Sequence, residues 1–332
     1  MLAASYTRTG PAADVLAVGD RPDPVAEPGE VLVRVHASGI NPADVKRRAG
    51  WNGMAMEHPL VIPHTDGAGE IVDVGQGVDR ARIGERVWLW NAQGGYGTAG
   101  RAFGTAAELI AIDAAQAVPL PDALDFTAGA CLGVPAMTAF RAVHADGPVD
   151  GQTILVNGAA GAVGHCAVQI AAAGGARVIG TVSGASASAH VFSAGAFATI
   201  DRKGEDVAAR VMELTDGRGV DRIVEVDFAA NMTLDAAVLK PNCTVASYSS
   251  SSDPTPVLPY YAFQSKGANL RFIQGFAIPA AARREGEALL SRLAADGRLS
   301  IAIARTYPLA EIAQAHADVE RGGNLGNIVV TI

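Results

Sequence analysis

Hydrophobic and polar positions change their rhythm about a third of the way along the chain. Before that point short apolar runs alternate with polar positions and are cut by turn residues. Val31–Ala37, Gly69–Gly75, Glu85–Trp90 and Ala107–Ile112 read as strands, with Pro28-Gly29 and Gly75-Gln76-Gly77 as punctuation. From about Asp125 helical and strand patterns alternate. The pattern predicts a helix over Phe126–His144, a strand at Thr153–Val156, a helix at Ala162–Ala173 and a strand at Arg177–Val182. It continues with a helix near Ala187–Ala194, a strand at Ala198–Ile200, a helix at Val207–Thr215 and a strand at Arg222–Val226. Such alternation predicts a parallel sheet with helices on both faces. A helix at Ala280–Ala295, a strand at Ile301–Thr306, a helix at Leu309–Glu320 and a strand at Asn327–Ile332 complete the pattern. The length of 332 residues favours two domains.

Composition narrows the function classes. Hydrophobic residues make up 49% and charged residues 18%, which excludes global disorder. A net charge of -8 without a Lys/Arg run argues against nucleic-acid and anionic-membrane partners. The uncharged stretch Gly151–Ala176 is long enough for a membrane span. Asn157 and the glycines divide it into strand and helix, so it reads as buried core. The N-terminus shows no signal-peptide pattern. Cys131, Cys166 and Cys243 are scattered, without disulfide or CxxC spacing, and point to a reducing compartment, the cytoplasm. There is no GxSxG elbow, Walker A loop or HExxH motif.

The most informative segment is Gly158-Ala159-Ala160-Gly161-Ala162-Val163-Gly164, set between the strand Thr153–Val156 and a predicted amphipathic helix. Glycines there let the backbone turn tightly and approach a pyrophosphate, and the helix N-terminus offers N–H groups and a favourable dipole. The segment is therefore expected to bind a nicotinamide dinucleotide. NAD-preferring sites place an acid at the end of the second strand; here that position holds Val182, and no Asp or Glu follows before Asp201. Ser183, Ser186 and Arg202 are candidates for a 2′-phosphate, so NADPH is the expected cofactor. A solvated loop charge is the alternative reading of Arg202.

The chain resembles the medium-chain dehydrogenase/reductase superfamily, in its zinc-free, zeta-crystallin-like quinone oxidoreductase branch. The resemblance rests on His36-Ala37-Ser38-Gly39-Ile40-Asn41-Pro42-Ala43-Asp44, Asp66–Val72, Leu132–Phe140, Val156–Gly164 and the tail Ala315 to Gly326. It implies an α/β chain in which a Rossmann doubly wound parallel sheet, residues 124–275, is inserted in a GroES-like β-rich catalytic domain, residues 1–123 and 276–332. The active site is then expected in the cleft, and the protein as a homodimer paired through its Rossmann domains.

Zinc enzymes of the superfamily use a Cys and a His where this chain has Asn41 and Thr65; His64 is one residue out of place and Cys131 alone makes no site. The segment Asn91 to Gly104 lacks the four cysteines of the structural zinc lobe. Without a metal, hydride delivery to a quinone fits, because a conjugated oxygen carries the developing charge. Asn41, Lys46 and Thr65 are the implied catalytic residues. Thr138, Ala160, Gly161, Ala162, Val163, Gly164, Ser183, Ser186, Arg202, Ser247, Tyr248, Phe276 and Asn327 are the implied cofactor-binding residues, with no metal ligand. Lys46 stands where the family has a Tyr, which puts the family's proton route in question. Two readings of Asn41 stand, an oxyanion donor or a turn cap; two of Lys46, a functional cation or a solvated helix residue. Tyr248 and Phe276 read either as pocket walls or as packing. Reduction of α,β-unsaturated ketones or aldehydes is the nearest alternative activity, and a non-catalytic crystallin-like role the alternative of another class.

Overall fold

The computed structural model describes residues 1–94 and 100–332; the part of the Asn91–Gly104 reading that concerns 95–99 lies outside the described residues. The chain packs as two compact units, 1–135 with 287–332 and 136–286. These limits fall later in the chain than the expected 123 and 275.

The first unit opens with an antiparallel pair, β1 (Leu2–Ser5) and β2 (Ala17–Asp20). It continues with β3 (Glu30–Ile40), β4 (Asp66–Val74), β5 (Arg86–Leu89), β6 (Leu109–Asp113) and β7 (Ala117–Pro119). Inward residues of β3, among them Val31, Val33 and Val35, meet Ile71, Val87, Ile110 and Ile112 in one fully buried cluster. Alternation along a half-buried strand is what places them there.

In the second unit β8 (Thr153–Val156), β9 (Arg177–Val182), β10 (Ala198–Asp201), β11 (Val220–Glu225), β12 (Leu239–Ser247) and β13 (Asn269–Phe272) form one parallel sheet. Its order, β10-β9-β8-β11-β12-β13, is 3-2-1-4-5-6 counted from β8, the doubly wound Rossmann order. The order reverses between β8 and β11, so their carboxyl ends mark the topological switch point. The helix Ala162–Ala173 is buried from Gly164 to Ala171, on both faces rather than one. The helix Met137–His144 packs beside it and on β11 and β12 as well, and the expected amphipathic pattern is absent. None of the described helices is long and apolar enough to cross a membrane.

The chain then returns to the first unit. β14 (Ile303–Pro308) and β15 (Asn327–Thr331) join its sheet in the order β14-β15-β3-β4-β5-β7, with β6 also on β3.

One expected element differs. Instead of a single helix over 126–144 there is a turn of helix at Phe126–Gly129, an irregular wide turn at Leu132–Ala136, and a helix at Met137–His144. Pro135 lacks an N–H and cannot continue a regular helix. The interruption turns the Val134 N–H away from helical pairing and onto Asp66 Oδ2, at 2.7 Å.

Candidate active site

The glycine turn sits at the carboxyl end of β8. Gly158 has φ +66, a backbone region that L side chains rarely adopt. Its N–H donates to Thr181 Oγ1 at 3.0 Å, and the Ala159 N–H donates to the Thr181 carbonyl at 3.0 Å. A Cβ on Gly164 would fall 2.3 Å from the Gly158 carbonyl oxygen, so the third glycine is a packing requirement. A Cβ on Gly161 would meet only that oxygen, at 3.5 Å. Ala160 to Val163 remain partly exposed and Gly164 is buried. No side chain caps the helix that follows, so its first N–H groups are directed at the space beside the turn. This geometry suits a pyrophosphate.

Beyond β9, which ends on the buried Val182, Arg202 Nε donates to Ser183 Oγ at 3.0 Å. Two of the three 2′-phosphate candidates are thus brought together, with Arg202 exposed. Ser186 is exposed on the first turn of the helix Ala185–Ser193. Thr138 is buried, and a Cβ on Gly275 would fall 2.5 Å from its Oγ1, which puts Thr138 against the Gly275-Phe276 loop. Phe276 is half-buried, and its N–H donates to Gln274 Oε1 at 3.1 Å. Ser247 ends β12 and donates to the Ser249 carbonyl at 3.1 Å. Tyr248 is half-buried; burial, and then the nearby Glu225, push its phenol pKa up. Its N–H donates to the Glu225 carbonyl at 3.1 Å.

The first unit carries a separate cluster of buried polar groups. Asn41 begins the helix Pro42–Ala49 as its N-cap, and Asp44 Oδ2 accepts the Asn41 N–H at 2.8 Å in a capping box. Asn41 is therefore a cap, yet its side chain also reaches outward: Nδ2 donates to Asp66 Oδ2 at 2.8 Å. Thr65 Oγ1 donates to Asp44 Oδ1 at 2.6 Å. Asn41 and Thr65 thus meet through Asp44, and Asn41 also holds Asp66. Asp44 is 1% exposed and Asp66 0%. Burial pushes the Asp66 carboxyl up to about 8, more than its Asn41 and Val134 hydrogen bonds pull it down. Burial likewise raises Asp44, against the hydrogen bond from Thr65. Asp66 Oδ1 has no hydrogen-bond partner among the described residues, and a Cβ on Gly133 would fall 2.1 Å from it. Only a glycine leaves room for this carboxyl.

Beneath them Ser38 Oγ bonds His64 Nδ1 and Thr105 Oγ1, each at 2.7 Å, and His64 Nε2 meets His316 Nε2 at 2.9 Å. Burial lowers the pKa of His64 to about 3, and burial with the facing His64 lowers that of His316. Both rings are held neutral inside the unit. Lys46 is half-buried, its Nζ 4.4 Å from the centroid of the Trp51 ring, a cation–π pair rather than a fully solvated charge. Asn327 is buried at the start of β15, with Nδ2 donating to the Ala302 carbonyl at 3.0 Å.

Asp44, Asp66 and the groups around Glu225 escaped the sequence reading. Asn41-x-x-Asp44 has capping-box spacing and was a usable signal for Asp44. Nothing local singles out Asp66.

Two families match the chain. The "Alcohol dehydrogenase GroES-like domain" matches residues 27–122, and "Zinc-binding dehydrogenase" matches residues 162–295. Quinone oxidoreductase of Rattus norvegicus is 30% identical over 93% of this chain and 91% of its own length. A mycobacterial protein solved in complex with NADPH has a TM-score of 0.87 at 27% identity, with both chains fully covered. An NAD-dependent alcohol dehydrogenase structure reaches 0.90 at 26% identity, also with full coverage.

The zinc in the second family's name does not fit the residues present. At the two ligand positions Asn41 Nδ2 is committed to Asp66 and Thr65 Oγ1 to Asp44. Cys131 Sγ donates to the Thr127 carbonyl at 3.6 Å. Among the described residues no three His, Cys, Asp or Glu side chains gather as a metal set. Similarity to a quinone oxidoreductase along nearly the whole chain, on a Rossmann sheet with a GroES-like companion, places this chain in the quinone oxidoreductase branch of the medium-chain dehydrogenase/reductase superfamily.

Proposed function

We propose that the chain is a zinc-independent, NADPH-dependent oxidoreductase whose acceptor is a quinone. The observation that carries the reading is the clamped Asn41 amide. Asp66 accepts one of its N–H groups and the Asp44 carboxyl also takes a hydrogen bond from this side chain, so the amide is held in a fixed orientation at the head of the helix Pro42–Ala49. A preoriented donor stabilises an oxygen on which negative charge develops, at little reorganisation cost. When bound, the nicotinamide supplies the hydride. The chain's own residues hold the dinucleotide at the N–H groups of Ala162, Val163 and Gly164. Ser183 and Arg202 take the 2′-phosphate, which the absence of an acid at Val182 favours. Trp51 keeps Lys46 from turning fully to solvent, so its charge adds to the positive field on the acceptor side.

The same reading includes a homodimer built on the Rossmann unit. β13 is an edge strand, and Phe272, Tyr260 and Tyr261 beside it are 70%, 61% and 79% exposed, an apolar edge of the kind a second sheet covers. The scattered cysteines, without disulfide or CxxC spacing, accord with a reducing cytoplasm.

A panel of quinones and simple enones, assayed with NADPH and NADH with and without chelator, tests the proposal. Chelator-insensitive NADPH oxidation with quinones is expected. Turnover of enones alone moves the acceptor class, and chelator inhibition overturns zinc independence. Light scattering of the purified protein reads the dimer.

A further inference from the structure

Directly under the glycine turn lies a buried group of polar side chains to which no role has yet been given. Asn157 follows β8 and is 2% exposed. Its Nδ2 donates to Glu225 Oε2 at 2.5 Å and to Asp235 Oδ1 at 3.2 Å. Its Oδ1 accepts from Thr181 Oγ1 at 3.3 Å, and that Oγ1 accepts the N–H of Gly158 at 3.0 Å. One chain of hydrogen bonds therefore runs from the first glycine of the turn through Thr181 and Asn157 to two carboxyl groups. Glu225 is the last residue of β11, so the chain spans the switch point of the sheet.

The two acids are both 0% exposed. Glu225 is well supplied with donors: besides Asn157, the Asp227 N–H and Asn231 Nδ2 donate to its Oε1. Asp235, in the helix Phe228–Val238, has the Asn157 amide on Oδ1 and no partner on Oδ2 among the described residues. Two carboxyl groups that are fully buried and share one amide resist ionising together, and they titrate as a pair. The distribution of donors puts the charge on Glu225 and the proton on Asp235. Burial and the facing Glu225 raise Asp235 well above the usual carboxylate range. Among the described residues, Asp227 in the turn after β11 and Tyr248 after β12 are the other ionisable groups whose charge reaches Glu225. From β8 and β9 come only the uncharged Asn157 and Thr181.

We propose that Asn157, Glu225 and Asp235 are positioning residues for the dinucleotide turn, and that the turn binds its ligand with one proton retained between the two carboxyl groups. Losing that proton adds a second buried negative charge beneath a site built for a pyrophosphate. It also leaves Asn157 between two anions, pulling its amide away from Thr181. Binding is then coupled to proton retention, and affinity falls as the pH rises. The proposal rests on the reading that this turn binds NADPH.

The experiment measures the Kd of NADPH and of NADH for the full-length protein between pH 6.5 and pH 9.5, with circular dichroism checking the fold at each pH. Above the second ionisation of the pair, the wild-type Kd for NADPH rises with pH at a slope approaching tenfold per unit. NADH shows the same slope, because the pair faces the turn and not the 2′-phosphate. In Asp235→Asn, and independently in Glu225→Gln, only one ionisable carboxyl remains and the dependence flattens. Whichever variant folds carries the test. A folded variant that keeps the wild-type slope overturns the proposal. Absence of NADPH binding to wild type at every pH overturns the cofactor reading, and this inference with it.

Discussion

Replacing Asp66 by Asn gives the sharpest test of the cluster around Asn41. Asp66 is fully buried, with a carboxyl pKa of about 8 in place of the ordinary 3.8. Below 3.8 the group is protonated in both folded and unfolded chains. Between those values the folded chain holds a proton that the unfolded chain has released. The stability it contributes is therefore fully present at low pH and is lost as the pH rises through 8. The slope is about 1.4 kcal/mol per pH unit, so between pH 5 and pH 8 wild type gives up about 4 kcal/mol from this group alone. Asp66→Asn keeps an acceptor for the Asn41 amide and the Val134 N–H but has nothing to titrate. Relative to wild type it should gain that amount over the interval.

Groups not coupled to Asp66 cancel in the comparison; Asp44, whose charge reaches Asp66, shifts with it in the same cluster. His64, lowered to about 3, works with the opposite sign: its stability is present above 6.5 and lost as the pH falls, in both proteins alike. All three tryptophans, Trp51, Trp88 and Trp90, lie in the unit that contains Asp66. Urea unfolding followed by tryptophan fluorescence at pH 5, 6, 7 and 8 therefore reads that unit. Parallel stability curves for the two proteins would refute a protonated Asp66.

Gly164→Ala drives a methyl group to 2.3 Å from the Gly158 oxygen and should cost about 1–3 kcal/mol of stability, with weakened NADPH binding, read by thermal melts and titration. Gly133→Ala, which pushes a methyl against Asp66 Oδ1, should lower kcat more than it changes the Kd of NADPH, in steady-state assays beside cofactor titrations. Arg202→Ala should weaken NADPH about tenfold while leaving NADH unchanged, a charge-assisted hydrogen bond being lost only with the phosphate; calorimetry with both cofactors decides. Trp51→Leu should reduce turnover in the same direction as Lys46→Ala if the ring fixes the cation, and equal turnover by Trp51→Leu and wild type would remove that role.

What could be read from the sequence was local and periodic. Thr153–Val156, Ala162–Ala173, Arg177–Val182 and Ala280–Ala295 are found with the bounds expected, because turn residues punctuate the chain at their ends. Phe126–His144 was misread because Pro135 lies inside a pattern that is otherwise helical. The helix Phe228–Val238 was missed because its buried face includes Asp235, a residue that periodicity counts as solvent-facing. At the candidate site, Asn41 and Thr65 stood out as residues at family positions, and Ser183 and Arg202 as polar groups following a strand that ends without an acid. Asp66, Glu225 and Asp235 were not, since their importance comes from burial beside partners 25 to 78 positions away. Charge in a dry environment is a property of the fold.

The placement of β15 has a consequence for how the protein is made. Residues 327–331 lie between β14 and β3, so the sheet beside Asn41 and Asp66 is completed by a segment synthesised after the whole Rossmann unit. The Rossmann unit, 136–286, is one uninterrupted stretch and has all its strands well before then. During translation it can close while the first 135 residues still wait with the β3 edge unpaired. Asn41 and Asp66 gain this strand only after the whole Rossmann unit has been made, so the growing polypeptide holds a complete dinucleotide fold before it holds the complete sheet beside Asn41 and Asp66.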